Sequence, residues 1–276
     1  SEMKQSGIEL RMAEYMANLH VINKKRSKTM TQRIYSFSGK SFGSVDGPGV
    51  RYLIFTTGCA MRCQFCHNPD TWNMNSGTLY TADELIDKAW KYRTYWGSKG
   101  GITVSGGEPL LQIDFLLELF QKAKERGINT TLDTCGNPFT REEPFFSKFQ
   151  ELMKVTDLVM LDIKHIDDEQ HKILTGQTNK NILDMARYLS DTGKPVWIRH
   201  VLVPERSDKD EYLHRLHDFI ETLDNVEKVE VLPYHTLGVY KWKELGIPYQ
   251  LEGIDPPSKE RVENANRILE TAKYHA

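Results

Sequence analysis

The sequence predicts an α/β fold with a parallel sheet, because six short β-branched runs alternate with longer helical patterns. One of these runs, Leu158-Val159-Met160-Leu161, is apolar on both faces, which is typical of a strand covered by helices on both sides. Six strand-then-helix units imply right-handed crossovers and either a doubly wound sheet or a barrel. The predicted strands are residues 50–57, 101–105, 128–134, 157–163, 196–203 and 228–234.

A helical pattern follows each predicted strand, so that each helix returns the chain to the start of the next strand. The last helix follows Pro256-Pro257, a pair that is typical of a helix start. No internal repeat and no second domain boundary is visible in the main part of the sequence. The predicted helices are residues 82–95, 113–126, 142–155, 180–192, 208–223 and 258–274.

Polar residues recur at the carboxyl ends of the predicted strands. Parallel α/β barrels build their active sites at that edge, whereas structural residues rarely choose one edge repeatedly. The clustering therefore favours a single active site that faces the top of a barrel. The clusters are Gly58-Cys59, Ser105-Gly106-Gly107-Glu108, Asp133-Thr134, Asp162 with Lys164, Arg199-His200 and Tyr234-His235.

Composition excludes several classes of protein. The 276 residues include 36 Lys and Arg against 38 Asp and Glu, so the net charge of −2 provides no global field for nucleic acid or an anionic membrane. A membrane-spanning helix needs about 18 consecutive apolar residues, and no apolar run in the sequence is that long. Four cysteines are too few to build a disulfide-stabilised fold of this length. We therefore expect a soluble, cytoplasmic chain that binds neither nucleic acid nor membrane.

The first 29 residues differ from the rest of the chain. Ile8, Met12, Tyr15, Leu19 and Ile22 recur in steps of three and four residues, a pattern typical of an amphipathic helix, and a basic run follows them. The pattern fits a helix that binds a partner, but we favour an extension that is loosely attached or was added to the natural chain. The predicted division is residues 1–29 as an N-terminal extension and residues 30–276 as a single domain.

The strongest chemical signal is the C-x3-C-x2-C spacing of Cys59, Cys63 and Cys66. Three thiolates on one loop can bind three irons of a four-iron cluster and leave the fourth iron with an open coordination position. A zinc site of the Cys3His type is the main alternative, because His67 follows directly. Zinc ligands usually come in two separated pairs, so the cluster is favoured. A catalytic cysteine and buried structural thiols are weaker alternatives.

The three cysteines end a longer motif that begins at Asp46. It follows the pattern G-x-G-x-R-x3-F-x2-G-C-x3-C-x2-C-x-N, and with it the chain resembles the radical S-adenosylmethionine (radical SAM) superfamily. More narrowly, it is similar to the activases of glycyl radical enzymes, and most similar to those of pyruvate formate-lyase. The similarity extends from about residue 34 to residue 274. The matching motif residues are Gly47, Gly49, Arg51, Phe55, Gly58, Cys59, Cys63, Cys66 and Asn68.

This resemblance implies an incomplete, laterally open (β/α)6 barrel, a partial TIM barrel of the radical SAM type. It implies that Cys59, Cys63 and Cys66 hold a [4Fe–4S] cluster whose open iron binds the amino and carboxylate groups of SAM. Flavodoxin or ferredoxin would supply one electron, and the 5′-deoxyadenosyl radical released from SAM would take a hydrogen atom from a glycine of pyruvate formate-lyase. An open barrel side would admit the glycine loop. We expect the enzyme to act as a monomer.

The resemblance also assigns roles to individual residues. Asp46 and Arg199 would contact the backbone of the protein substrate. A monovalent cation, Na⁺ or K⁺, would be bound by Asp133, Thr134, Met160 and Asp162. The cofactor would be contacted by Phe65, Cys66, His67, Gly106, Gly107, Glu108, Asp162, Ile163, Lys164 and His235.

Without the resemblance, several of these positions predict ordinary structure. The stretch Gly106-Gly107-Glu108 is typical of a turn, Asp133 of a helix cap and His235 of a structural hydrogen bond. A different class of protein, an iron–sulfur electron carrier or a zinc-binding protein, could use the same cysteines. Within the superfamily, the alternatives are an activase of another glycyl radical enzyme and an enzyme acting on a small molecule.

Cys135 departs from the family's pattern, which commonly carries another small or polar residue after the position of Thr134. A fourth cysteine ligand would abolish the open iron, so we expect that Cys135 is a bystander and does not bind the cluster. No cysteine lies between Cys66 and Cys135, so the cysteine-rich insert of several related activases is missing. That absence narrows the resemblance towards the activases of pyruvate formate-lyase. The family pattern does not explain the segment before Met30.

Overall fold

The computed structural model describes residues 32–35 and 46–274, and of residues 32–35 it describes the backbone alone. The predicted extension, residues 1–29, lies outside this part of the chain. The strands are β1 (Gln32–Tyr35), β2 (Arg51–Thr56), β3 (Thr78–Tyr80), β4 (Gly101–Gly106), β5 (Asn129–Thr134), β6 (Leu158–Asp162), β7 (Val196–Leu202) and β8 (Val226–Pro233). The helices are α1 (Ala82–Trp90), α2 (Ile113–Glu125), α3 (Phe145–Lys154), α4 (Asp168–Thr175), α5 (Lys180–Asp191), α6 (Asp210–Ile220), α7 (Val239–Glu244) and α8 (Lys259–Ile268).

The eight strands form one sheet in the order β3-β1-β2-β4-β5-β6-β7-β8. Strands β2 and β4 to β8 are parallel, and β1 pairs antiparallel with both β2 and β3 at one edge. Within the described residues β8 pairs with β7 alone, so the sheet does not close on itself. The prediction of an incomplete, open barrel of six parallel strands is confirmed.

The strand register brings the carboxyl ends of neighbouring strands to one level. Thr56 of β2 pairs with Gly106 of β4, and Asp162 of β6 pairs with Arg199 of β7. Side chains that follow these positions therefore meet at one edge of the sheet. This is the edge at which the sequence predicts the active site.

Local signals in the sequence begin and end several helices. Thr81 and Glu84 form a capping box at the start of α1, each side chain accepting a hydrogen bond from the other's backbone N–H. Asp167 caps α4 and Ser258 caps α8, each through its side-chain oxygen. Helix α4 ends at Gly176, whose φ of 77° is readily adopted by glycine.

The helices bury apolar faces in a core that they share with the sheet. In α2 the buried side chains recur at helical spacing, at Leu116, Leu119, Phe120 and Ala123. Among the described residues, none of the helices combines the length and the apolar character that crossing a bilayer requires.

Two predicted helices end earlier than expected, and four observed helices and strands have no predicted counterpart. The helix predicted over 82–95 ends at Trp90, and a separate 3₁₀ turn covers Arg93–Tyr95. The helix predicted over 258–274 ends at Ile268, because Glu270 adopts a left-handed backbone with a φ of 48°. Helices α4 and α7 and the antiparallel strands β1 and β3 were not predicted. All four are short, with three to eight residues each, so they carry little periodic signal.

Candidate active site

The carboxyl ends of the parallel strands surround a cavity of about 520 Å³. Most of the residues to which the family resemblance assigns a role line this cavity. The exceptions are Glu108, Met160 and Ile163. Met160 packs in a small cluster with Leu158 and Trp197, and Ile163 belongs to the main core. The predicted residues that line the cavity are Asp46, Cys59, Cys63, Phe65, Cys66, His67, Gly106, Gly107, Asp133, Thr134, Asp162, Lys164, Arg199 and His235.

The cysteine loop follows β2 and is held by backbone hydrogen bonds from distant elements. The N–H groups of Arg62 and Gln64 donate to the carbonyls of Thr175 and Leu174, at 2.7 and 2.9 Å. From the other side, the indole N–H of Trp242 donates to the carbonyl of Cys66 at 2.9 Å. The end of α4 and helix α7 therefore hold the loop between them.

Two glycines allow the backbone of the loop to pack closely. Gly58 has a φ of 97°, and a Cβ atom there would lie 1.7 Å from Sδ of Met74. A Cβ atom on Gly107 would lie 2.3 Å from the carbonyl oxygen of Gly58. A side chain on Gly58 would be strained by this φ, and one on Gly107 would press against the backbone of the loop, so the loop geometry favours glycine at both.

The spacing of the three thiols fits an iron–sulfur cluster better than a single zinc ion. A zinc ion with Zn–S bonds of about 2.3 Å would hold its sulfurs about 4 Å apart. In the described part of the chain, three ligand atoms that all lie within 4.8 Å of one another occur only at His217, Glu221 and Glu270, on the surface. The three cysteine sulfurs therefore do not all lie within 4.8 Å of one another, and ligands to different irons of one cluster need not do so.

Burial keeps two of the three thiols protonated. It raises the pKa of Cys66 to about 11 and raises that of Cys63 further, although the charge of Lys164 opposes the effect at both. Cluster assembly at these positions must therefore displace protons.

Four charged side chains form a buried network at the ends of β5, β6 and β7. Arg199 contacts both carboxylates: its Nε lies 2.9 Å from Asp162, and its Nη2 lies 3.2 Å from Asp133. Nζ of Lys164 lies 3.0 Å from the second oxygen of Asp162, and the hydroxyl of Ser105 donates to Asp133 at 2.6 Å. The network lines the cavity and presents both signs of charge to it.

The two carboxyl groups of this network have opposite pKa shifts. Burial opposes ionisation of Asp162, but Arg199 and Lys164 outweigh it and lower the pKa to about 2. Burial raises the pKa of Asp133, and the negative charge of Asp162 raises it further. The positive charge of Arg199 lowers it but does not outweigh burial. Burial also opposes the charge of Lys164, yet Asp162 raises its pKa.

Glu108 is buried behind the cavity, and both of its carboxylate oxygens are engaged. One oxygen accepts from the Thr134 hydroxyl at 2.6 Å and the Leu110 N–H at 2.9 Å. The other accepts from the N–H and the thiol of Cys135, at 2.9 and 2.8 Å. Burial nevertheless raises the pKa of Glu108. The carboxylate thus connects the ends of β4 and β5, and its predicted contact with the cofactor stays a prediction.

Cys135 interacts with Cys59 as well. The side-chain hydrogen bond between the two thiols lowers the pKa of Cys59 and raises that of Cys135 well above its ordinary value. Both sulfurs line the cavity.

Aromatic rings border the cavity on the side of the cysteine loop. The rings of His67 and His235 stack with their centroids 4.0 Å apart. Burial lowers the pKa of His67 to about 4, so its ring is neutral at pH 7. Nζ of Lys164 lies 5.4 Å from the centre of the Phe65 ring. Flat aromatic rings of this kind can stack on a planar base.

Helix α7 contributes residues that the sequence analysis missed. Lys241 binds Asn68 and Asp70 at 2.9 and 3.2 Å, and Trp242 binds the cysteine loop. A Cβ atom on Gly238, just before α7, would lie 2.8 Å from Cα of His67. No motif marked these residues, because their role arises from a contact across more than 165 positions of sequence.

Comparisons with known proteins agree with this geometry. The profile of the Radical SAM superfamily matches residues 53–217. A pyruvate formate-lyase-activating enzyme of Streptococcus mutans is 57% identical over 239 residues, which are 86% of this chain and 91% of that protein. The protein of the same name from Listeria monocytogenes is 56% identical over 238 residues, 86% of this chain and 96% of that protein.

Solved structures show the same fold at low identity. A domain of a pyruvate formate-lyase-activating enzyme from Bacteroides vulgatus has a TM-score of 0.52 at 24% identity, covering 64% of this chain and 97% of that one. A radical SAM methyltransferase from Sphaerobacter thermophilus has a TM-score of 0.57 at 19% identity, covering 81% of this chain and 64% of that one. These two likenesses concern the fold alone.

Proposed function

Because the chain belongs to the radical SAM superfamily and, within it, to the pyruvate formate-lyase-activating enzymes, we propose that it installs a glycyl radical in pyruvate formate-lyase. The observation that carries this proposal is the identity of 56–57% over nine-tenths or more of two proteins of that name. The cavity supports it, since three cysteines, buried charges and aromatic rings face one another there.

A [4Fe–4S] cluster would be held in the loop that follows the carboxyl end of β2, by Cys59, Cys63 and Cys66. Their donor set suits it, since three thiols lie on one loop whose backbone is held by hydrogen bonds from distant elements. When bound, the cluster and SAM supply the 5′-deoxyadenosyl radical that removes a hydrogen atom from glycine. The protein's part is to orient the reactants and exclude water from them.

Other cavity residues would bind the two ends of SAM. Asp162 and Lys164 offer a carboxylate and an ammonium to the charged methionine end, and the backbone of Gly106 and Gly107 can approach it closely. Phe65, His67 and His235 would contact the adenosine end with their rings. The list of proposed cofactor contacts also includes Cys66, Glu108 and Ile163.

The protein substrate would enter at the open side of the barrel. Asp46 and Arg199 line the cavity and can bind a peptide backbone, which offers both N–H donors and carbonyl acceptors. Arg199 is held by Asp133 and Asp162, so its position depends on theirs.

Four further parts of the proposal concern the setting of the reaction. Asp133, Thr134, Met160 and Asp162 would bind Na⁺ or K⁺, supported by two carboxylates at the cavity wall. Flavodoxin or ferredoxin would be the reductant. The enzyme would act as a monomer in the cytoplasm, where reducing conditions keep cysteine ligands available.

The test is anaerobic incubation of the reconstituted protein with reductant, SAM and pyruvate formate-lyase. We expect a glycyl radical signal in electron paramagnetic resonance, present only when SAM and reductant are both added. With a peptide containing α-deuterated glycine, deuterium should appear in 5′-deoxyadenosine. The proposal would be refuted if pyruvate formate-lyase had no effect on the rate of SAM cleavage and the enzyme instead converted a small molecule.

Matched cysteine variants sharpen this test. Cys59→Ser, Cys63→Ser and Cys66→Ser should each prevent assembly of an intact cluster, because each removes one ligand. Cys135→Ser should keep the iron content of the wild type. A loss of the cluster in Cys135→Ser would show that the open iron position does not exist.

A further inference from the structure

Two threonines lie on the inner face of the sheet, one level below the cavity. Thr103 and Ser105 are two positions apart on β4, so they project from the same face, and Ser105 lines the cavity. Thr131 of β5 pairs with Thr103, and both threonines are fully buried. Their hydroxyls therefore face the interior of the open barrel, between its amino end and the cavity.

The hydroxyl of Thr103 connects Arg51 to Asp46. Nε of Arg51 lies 3.0 Å from this hydroxyl, and because a guanidinium can only donate, the hydroxyl is the acceptor. Its own proton is then left for a second bond, which goes to the carbonyl oxygen of Asp46 at 2.7 Å. The buried Arg51 therefore fixes the hydroxyl, and the hydroxyl fixes the backbone of Asp46.

The residue after Asp46 allows the chain to pass close to this inner face. Gly47 has a φ of 116°, a backbone conformation that glycine adopts readily. A Cβ atom on Gly47 would lie 3.4 Å from Cγ2 of Thr131, so the backbone here runs directly against the sheet. Asp46 lines the cavity while its carbonyl oxygen is held below it by Thr103. The position of Asp46 in the cavity thus depends on a bond made outside the cavity.

We propose that Thr103 is a positioning residue for the protein substrate, because its hydroxyl holds the backbone of Asp46 in the place where Asp46 meets the substrate. The inference rests on the proposed contact of Asp46 with the backbone of the glycine loop. Thr103 does not line the cavity, so it acts through Asp46. A contact of this kind is made before the hydrogen transfer and kept during it, so its loss raises KM for the protein substrate and leaves kcat unchanged.

The test is Thr103→Val, which keeps the shape of the side chain and removes the hydroxyl. The rate of glycyl radical formation would be measured by electron paramagnetic resonance at increasing concentrations of pyruvate formate-lyase. We expect KM for pyruvate formate-lyase to rise about tenfold, with kcat, iron content and SAM affinity as in the wild type. Thr103→Ser, which keeps the hydroxyl, should retain the wild-type KM. An unchanged KM in Thr103→Val would overturn the proposal.

Thr131→Val is the matched control. The Thr131 hydroxyl also accepts from Arg51, at 2.9 Å, and is equally buried, but the bond to the carbonyl of Asp46 comes from Thr103. Each variant removes one acceptor of Arg51, so both should unfold at a lower temperature than the wild type, while only Thr103→Val should raise KM. An equal rise of KM in both would indicate general loosening and overturn the proposal. If Thr103→Val does not fold, Thr103→Ala removes the same hydroxyl and takes its place.

A double variant shows whether Thr103 acts through Asp46. In an Asp46→Ala background, Thr103→Val should raise KM no further, because the contact that it positions is already gone. A second tenfold rise in that background would contradict the proposed route. The inference and the proposed function fail in different ways. A wild-type KM in Thr103→Val excludes the inference alone, whereas the absence of a glycyl radical with the wild-type enzyme excludes the proposed function.

Discussion

Two buried arginines, Arg51 and Arg199, lie at opposite ends of the parallel sheet and have opposite surroundings. At the amino end, Arg51 donates to neutral acceptors: the side chains of Asn129, Thr131 and Thr103 lie 2.8 to 3.0 Å away. At the carboxyl end, Arg199 lies between two carboxylates. Burial lowers the pKa of Arg51 to about 10, whereas Asp133 and Asp162 outweigh burial and raise that of Arg199.

The difference separates structure from function within one sequence motif. Arg51 belongs to the family's motif, yet it contacts no cavity residue by these bonds and also donates to the carbonyls of Pro48 and Lys99. It joins the segment before β2 to β4 and β5. Arg199 lines the cavity, where the carboxylates of Asp133 and Asp162 fix the position of its guanidinium. In this protein the arginine among neutral acceptors joins structural elements, and the arginine among carboxylates lines the cavity.

The largest effect is expected for Arg51→Met. The substitution leaves several buried acceptors without a donor, so we expect the free energy of unfolding to fall by about 3 kcal/mol or more. Thermal unfolding followed by circular dichroism measures this. Arg51→Lys should lose less, since one ammonium satisfies some of the acceptors. If Arg51→Met unfolded at the same temperature as the wild type, Arg51 would not have the structural role that distinguishes it from Arg199.

Arg199→Met should affect activity more than stability. We expect the yield of glycyl radical to fall about 100-fold, corresponding to about 2.7 kcal/mol, because Asp133 and Asp162 lose the charge that holds them. Unfolding stability should fall by less than in Arg51→Met, since the carboxylates line a cavity that water can enter. If stability instead falls as far as in Arg51→Met, the two arginines do not differ in role.

A third prediction compares the two ends of strand β6. Asp162→Asn should weaken SAM binding about tenfold, or about 1.4 kcal/mol, with unchanged iron content, because Lys164 and Arg199 lose their shared anion. Asp157→Asn is the matched control: Asp157 precedes β6 and accepts from the Thr130 N–H at 2.8 Å, away from the cavity. Titration of the reduced enzyme with SAM should show normal affinity in the control. Equal affinities in the two variants would remove Asp162 from the site.

The smallest effect concerns the pH dependence of stability. The folded-state pKa of Asp162, about 2, lies below its ordinary value of 3.8, so ionised Asp162 stabilises the fold by about 2 kcal/mol above pH 4. This contribution is lost as the pH falls from about 4 towards 2. Urea unfolding of cluster-free protein at pH 6 and pH 3 should show about 1 kcal/mol less acid destabilisation in Asp162→Asn than in the wild type. Equal acid sensitivity in both proteins would contradict the ion-pair network.

The sequence supported prediction of the parallel barrel because each of its strands is a β-branched run with a helix after it. The strand predicted at 157–163, for example, is observed as Leu158–Asp162. Helix α4 could not be predicted, since its eight residues begin Asp168-Glu169-Gln170-His171 and show no apolar stripe. Its position is explained by tertiary contacts: the carbonyls of Thr175 and Leu174 accept hydrogen bonds from the cysteine loop.

The candidate site was predictable to the extent that motifs mark it. Cys59, Lys164 and Arg199 stand at strand ends, and the sheet register brings them to one cavity. The burial of Glu108 and the contact of Trp242 with the loop depend on side-chain directions and long-range packing, which no local pattern records.

The hydrogen bond from Trp242 to Cys66 also has a consequence for biosynthesis. The two residues are 176 positions apart, so a ribosome adding roughly 5–20 residues per second makes the donor roughly 9–35 s after the acceptor. During that interval the cysteine loop exists without the helix that closes over it. Metal delivery to the nascent chain would meet an unfinished binding loop with exposed thiols. A truncation before Trp242 keeps every strand of the sheet but removes this donor, so the truncated protein should retain iron poorly.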